Sequence, residues 1–278
     1  MISPQYHPTM RVAIHTKNKT PEHEKGRQLL EEALRQRGIE VVEYTSSKTV
    51  IDVMISIGGD GTLLSAVHQI GDSGVPVVGI NFGHLGFLTT AGRNDIDKLA
   101  DCLNEGRYTI ENRTMLEVKV YHNGRRDNVQ TLYALNELYL HRHDQSPLLH
   151  TRVEVDGDMM ATYAADGLII ATPTGSTAYS LSCGGPILAP GSGSLVITPI
   201  AAHALTLRPI ILSDNVHLSL HDEDDAVSFT LGVDSYVCNL GGGSVIEVHK
   251  ADYQTRLMRI EKQDFFSAIR EKFLWGEG

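Results

Sequence analysis

The chain has little of what builds disulfide frameworks, metal cages or membrane spans. Its three cysteines, Cys102, Cys183 and Cys238, stand far apart in 278 residues, and none pairs with another at metal-ligand spacing. Reduced thiols in a cytoplasmic protein are therefore expected. No apolar run approaches the roughly 20 residues that cross a bilayer. The stretch from Met1 to Met10 lacks the basic-then-apolar layout of a secretory leader, so none is expected. Basic residues are in the minority, with 24 Lys and Arg against 34 Asp and Glu, a net charge of −10. A surface that acidic is not built for nucleic acid or membrane, and an anionic ligand must be met by glycine turns, a few arginines or a metal.

Familiar catalytic motifs are missing as well. There is no Gly-x-x-x-x-Gly-Lys-Ser/Thr phosphate loop, no Gly-x-Gly-x-x-Gly fingerprint and no Gly-x-Ser-x-Gly elbow. Kinases of the common loop type are thereby excluded, and no serine nucleophile stands out. His141, His143, His150 and His203 miss the spacing of a helical zinc site. The acidic run Asp222-Glu223-Asp224-Asp225 reads as a solvated turn.

What is present is a turn, Ile57-Gly58-Gly59-Asp60-Gly61-Thr62, entered by a β-branched run from Ile51 and left by a helical pattern of Leu63, Leu64, Val67 and Ile70. Glycines there let the backbone approach a ligand, and a helix amino terminus favours an anion. Gly58, Gly59, Gly61 and Thr62 are thus the candidate phosphate-donor loop. An aspartate at the tip would repel a phosphate, so Asp60 reads as a group that acts on a hydroxyl or holds Mg²⁺. A tight connection with no ligand is the plainer alternative for this motif taken alone.

Around this turn the chain alternates strands (Arg11–His15, 39–44, 51–57, 75–80) with helices (about 21–37, 60–70 and 95–104). That pattern predicts a Rossmann-like α/β domain over 1–108 with a parallel sheet, whose ligands gather at the strand carboxyl ends. The loop Asn81 to Phe87, with two glycines, lies on the same rim. After Gly106 short alternating strands predict a β-rich, sandwich-like domain over 109–252, among them 132–141, 167–171, 194–198 and 227–233. A tail over 253–278 returns to helical spacing from Asp264 to Trp275.

The second half carries Asp166-Gly167 and a loop of small hydroxyl residues, Thr172-Pro173-Thr174-Gly175-Ser176-Thr177-Ala178-Tyr179-Ser180-Leu181-Ser182. Small side chains expose backbone donors and acceptors to a base edge, ribose hydroxyls or phosphates, and Tyr179 offers a ring for stacking. A Ser/Thr-rich cap is the alternative. Asn136-Glu137 interrupts an apolar strand, and an amide beside a carboxylate can take both edges of an adenine or a pair of hydroxyls. A surface-facing polar pair is the default for such a strand.

In this order the stretches resemble the NAD kinase family over nearly the whole chain. The glycine turn alone is shared with diacylglycerol-type lipid kinases and phosphofructokinases; the hydroxyl-rich stretch is far more specific. The resemblance implies phosphorylation of NAD to NADP, with Mg²⁺ held mainly by the nucleotide and no metal ligand assigned on the chain, by a homodimer or homotetramer. In fold it implies that the tail over 253–278 packs back on the first domain. It implies that Asp60 accepts the proton of the adenosine ribose 2′-hydroxyl, and that Asn136 and Glu137 hold the adenine and ribose side. Asp166 would take the nicotinamide end, Thr177, Ala178, Tyr179, Ser180, Leu181 and Ser182 the adenosine pocket, and Ala201 a pocket wall. Gly61, Phe87 and Thr174 join the NAD-contacting set, and Asp234 matches a family aspartate near the subunit boundary. Ala164 stands where many relatives have a basic residue, and Ser235 where others have Gly or His. A lipid or sugar kinase of the same superfamily and a non-catalytic dinucleotide sensor are the alternative readings. The donor is left open among ATP, other triphosphates and polyphosphate.

Overall fold

The computed structural model describes residues 9–17, 20–83, 86–89, 91–122, 127, 129–143, 147–223, 228–260 and 265–275. Its contacts divide the chain into two units, Met1–Asn112 with Thr255–Gly278, and Arg113–Gln254. Among the described residues no helix is long and apolar enough to cross a membrane.

The first unit is an α/β layer structure. Strand β1 (Arg11–His15) leads to helix α1 (Pro21–Gln36), where the Thr20 hydroxyl caps the His23 amide at 3.2 Å and Pro21 fills the first turn. Then follow β2 (Glu40–Val42), β3 (Val53–Ile57), α2 (Asp60–Ile70), β4 (Val77–Asn81), the short β5 (Ala91–Gly92) and α3 (Ile96–Glu105). Strands β2, β1, β3 and β4 lie side by side in parallel. Beyond β4, Leu257 of a later strand pairs with Val77, and β5 pairs with the end of β4. All five residues of β3 are buried, as a strand covered on both faces requires. Leu30, Leu34, Ile55, Ile57, Leu99 and Leu103 are among those that close the core. The strand carboxyl ends therefore share one edge, and Asp60 and the loop after Asn81 both start there.

The second unit is a β-sandwich. One sheet runs β10 (Asp158–Ala165), β9 (Leu149–Val155), β14 (Leu218–Asp222) and β17 (Val245–Arg259), and β6 (Thr109–Tyr121) pairs with β17 and with β7 (Val129–Ala134). The other has the order β13 (Ile210–Ser213), β12 (Ser194–Ile200), β11 (Gly167–Ala171), β8 (Glu137–Arg142), β15 (Phe229–Val233) and β16 (Tyr236–Leu240), each neighbour antiparallel. Period-two alternation sends Leu138, Leu140, Leu168, Ile170, Phe229 and Leu231 into the core between the sheets. The intervening residues face outward, where the short helix α4 (Tyr179–Ser182) lies close to β11.

Three expectations shift. The single strand expected over 132–141 is two strands in different sheets, broken at Leu135 and Asn136. Strands β10, β13 and β16 carry weaker patterns and are additional. The last strand, expected over 244–250 from its alternating pattern, runs on to Arg259 and divides its residues between the two units. The tail helix spans Phe265–Phe273, and its expected first residue, Asp264, lies outside the described residues, as do His84, Leu85, Asp224, Asp225 and Val227.

Candidate functional site

Asp60 opens α2 directly behind β3, and its carboxylate is held by a row of amides. Oδ2 accepts the N–H of Phe87 at 2.8 Å, and Oδ1 accepts those of Leu88 and Thr89 at 3.2 and 3.1 Å. Successive amides of this kind form a concavity shaped for an anion. The loop is closed by the Gly86 amide, which donates to Thr89 Oγ1 at 2.7 Å. It reaches the carboxylate because residue 86 has no side chain: a Cβ there would overlap Asp60 Oδ1. A carboxylate presents about four lone-pair sites, and among the described residues three amides leave one, on Oδ2, enough for one hydroxyl. From behind, the Phe87 ring packs on Phe273 with centroids 5.7 Å apart, and Arg259 Nη1 donates to the Leu88 carbonyl at 3.2 Å.

In the second unit, the outward residues of β8 are Glu137, Tyr139 and His141. With Thr230 of β15 and Tyr179 they line an open cavity of about 490 Å³. Tyr139 and Tyr179 meet edge to face, centroids 5.5 Å apart. Glu137 is only 8% exposed, and among the described residues neither its Oε2 nor the buried Asn136 Oδ1 has a hydrogen-bond partner. Two orphaned buried acceptors are costly unless a ligand or water satisfies them. Burial, reinforced by the negative charge of Asp234 and opposed by the Tyr179 amide, pushes the Glu137 carboxyl up to about 8. At neutral pH it is therefore mostly protonated and offers an O–H as well as acceptors.

The same short segment is pinned from below. Asp234 Oδ2 accepts the Leu135 amide at 2.7 Å, and Oδ1 those of Asn136 and Glu137 at 2.9 and 3.2 Å. This binding of three amides is what ends one strand and starts the next. The turn at Gly175 presses on Asn136 so closely that a Cβ would overlap the Asn136 carbonyl. Asp166 pairs with Arg142 at 2.5 Å.

Two family models cover most of the chain, the ATP-NAD kinase N-terminal domain over residues 5–108 and the ATP-NAD kinase C-terminal domain over 135–260. The chain belongs to the NAD kinase family. An NAD kinase of Flavobacterium psychrophilum is 37% identical over 227 residues, 81% of this chain and 76% of that one. The crystal structure of an NAD kinase from Archaeoglobus fulgidus in complex with ATP matches with a TM-score of 0.74 at 25% identity, covering 95% of this chain and 98% of that one. Yeast NADH kinase complexed with NADH matches with a TM-score of 0.88 at 23% identity, over 98% and 89% of the two chains, a likeness of fold.

The NAD kinase residues expected from the sequence fall into two groups. Gly58, Gly59, Asp60, Gly61, Thr62 and Phe87 belong to the first unit; Asn136, Glu137, Asp166, Thr174, Thr177 to Ser182, Ala201 and Asp234 belong to the second. Within the second group several hydroxyls of the loop are engaged by the chain itself. Thr172 Oγ1 donates to the Leu135 carbonyl at 2.6 Å, Ser176 Oγ accepts the Leu188 amide at 2.9 Å, and Ser180 Oγ is 2.8 Å from Thr198 Oγ1. Thr177 Oγ1 donates to the Thr174 carbonyl at 3.3 Å, and Ser182 is exposed. Ala201 is exposed with φ of 46°, and Asp234 has φ of 48°. Tyr139 and His141 were not anticipated, although alternation from Glu137 places them on its face. Arg142 and Arg259 leave no comparable mark in the sequence.

Proposed function

We propose that this chain transfers the terminal phosphoryl group of ATP, or of another phosphate donor, to the 2′-hydroxyl of the adenosine ribose of NAD, giving NADP. In a chain of this family, the observation that carries the reading is the Asp60 carboxylate, fixed by three amides with one acceptor site left. A sugar hydroxyl is a weak acid and a carboxylate a weak base, so the proton does not move first. The transition state of phosphoryl transfer is loose and asks little of the base until late. Asp60 orients the hydroxyl, and as its oxygen bonds the terminal phosphorus the O–H proton passes to the carboxylate, while the bond from phosphorus to the leaving diphosphate oxygen breaks.

On the dinucleotide side, Asn136 Oδ1 accepts from the adenine or ribose, and the protonated Glu137 donates to it. Tyr179 gives a ring for the base, and Asp166, oriented by Arg142, takes the nicotinamide end. A divalent cation, Mg²⁺ by proposal, neutralises the triphosphate charge that a chain of net charge −10 would repel. Among the described residues no three His, Cys, Asp or Glu side chains converge to hold a metal ion. The phosphates are thus its proposed ligands. A cytoplasmic setting fits the three free cysteines. Assembly as a dimer or tetramer fits the exposed Ile211 of β13 and Val237 of β16, both on edge strands.

The test is NADP formation by purified protein from NAD with Mg-ATP and, in parallel, with polyphosphate. NADP from at least one donor is expected. NAD binding without NADP from either donor would overturn the reading in favour of a dinucleotide sensor.

A further inference from the structure

Arg259 lies at the end of β17, buried, with its Nη1 on the Leu88 carbonyl at 3.2 Å and its Nε on Glu111 Oε2 at 3.1 Å. The Leu88 carbonyl belongs to the same peptide group as the Thr89 N–H, and that N–H donates to Asp60 Oδ1 at 3.1 Å. One peptide therefore stands between a guanidinium and the carboxylate. Its oxygen faces a guanidinium that is itself paired with Glu111, and its N–H faces the carboxylate. A cation on a carbonyl oxygen draws electron density through the amide and makes the N–H a stronger donor, and hydrogen bonds arranged in series reinforce one another. The same contact fixes the loop mechanically, because Leu88 contributes a second amide to Asp60 and has its carbonyl held from the other side.

We propose that Arg259 is a positioning residue for the phosphoryl transfer, acting on Asp60 through the Leu88–Thr89 peptide. This rests on the reading of Asp60 given above. Arg259 touches neither substrate in this scheme. It sets the direction of the carboxylate and the strength of one of its three amide bonds. A neutral side chain at 259 leaves the Leu88 carbonyl without its charged donor and lets the loop turn away from Asp60. Turnover then falls while the dinucleotide-holding residues of the other unit, Asn136, Glu137, Asp166 and Tyr179, are left in place.

The experiment is a double-mutant cycle on the full chain. Arg259→Met and Asp60→Asn are made singly and together, and kcat and KM for NAD are measured beside the melting temperature. Activity of the wild type and its loss in Asp60→Asn test the reading of Asp60 by themselves; the Arg259 arms test the positioning role. Expected is a kcat for Arg259→Met about tenfold or more below wild type, with KM for NAD within about twofold, and no further loss when it is added to Asp60→Asn. Arg259→Lys, which keeps the charge, recovers part of the lost kcat. An unchanged kcat in Arg259→Met, or the same fractional loss in both Asp60 backgrounds, overturns the proposal. Should Arg259→Met not fold, Arg259→Gln, which is polar but shorter and uncharged, is read in the two backgrounds by the same criterion.

Discussion

The amide of Glu137 donates to Asp234 Oδ1 at 3.2 Å, and the amide of Asp234 donates back to the Glu137 carbonyl at 3.0 Å. With the amides of Leu135 and Asn136 on the same carboxylate, the pairing fixes where β8 begins and which way Asn136 and Glu137 point. Asp60 is bound in the same manner by the amides of residues 87 to 89. The two aspartates use one device for opposite ends. At Asp60 the backbone holds a carboxylate, and at Asp234 a carboxylate holds the backbone.

Removing that hold should weaken dinucleotide binding. Asp234→Ala leaves three amides without their charged acceptor and puts an alanine at φ of 48°, a left-handed conformation it tolerates poorly. Asp234→Asn retains an oxygen and tolerates the left-handed region. Steady-state kinetics should show KM for NAD raised about tenfold or more in the alanine variant and less in the asparagine variant. Equal KM values in wild type and Asp234→Ala would remove Asp234 from the scheme.

Stability should depend on pH through Glu137. Its carboxyl titrates at about 8 in the folded chain against 4.5 for the ordinary group. Between these values the folded state binds a proton that the unfolded state does not, so stability falls as pH rises through this window. The folded carboxylate, once ionised above pH 8, is a buried charge beside Asp234, relieved only in part by the Tyr179 amide. Glu137→Gln removes this slope. Thermal unfolding of the unliganded protein from pH 5 to 9 should show wild type losing stability relative to Glu137→Gln, by on the order of a few kcal/mol across the range. Parallel curves for the two proteins would mean that Glu137 titrates normally.

Gly86→Ala tests the close approach at Asp60. A methyl group there occupies the space of the carboxylate oxygen, so the loop or the aspartate must shift. Overpacking of this kind costs about 1–3 kcal/mol. A shift of about 1 Å at a reacting group costs about a hundredfold in rate. The expected variant is folded, slightly less stable, and low in kcat. Wild-type kcat in a folded Gly86→Ala protein would show that the amides of 87 to 89 do not matter to turnover.

The parts of the fold carried by periodic burial were legible in the sequence. The buried run Val53–Ile57 and the glycine turn behind it announce a parallel strand feeding a helix, and Leu168 to Ala171 announces a sandwich strand. The break at Leu135 and Asn136 was not legible, because its cause is Asp234, about a hundred residues further on. Hydroxyl content likewise gave no direction: Thr172 and Ser176 face inward onto the backbone of Leu135 and Leu188, and Ser180 onto the Thr198 hydroxyl. Asp60 was legible as a chemical group, while its amide cradle depends on Gly86 and Thr89, whose pairing only the folded loop creates.

The most direct test of the central claim is Asp60→Asn, with NAD binding measured by calorimetry and NADP formation by a coupled assay under the best donor found for the wild type. The account predicts NAD binding within about threefold of wild type and turnover lower by about a hundredfold or more. Turnover close to wild type with intact NAD binding would contradict it, since the group that receives the hydroxyl proton would then lie elsewhere.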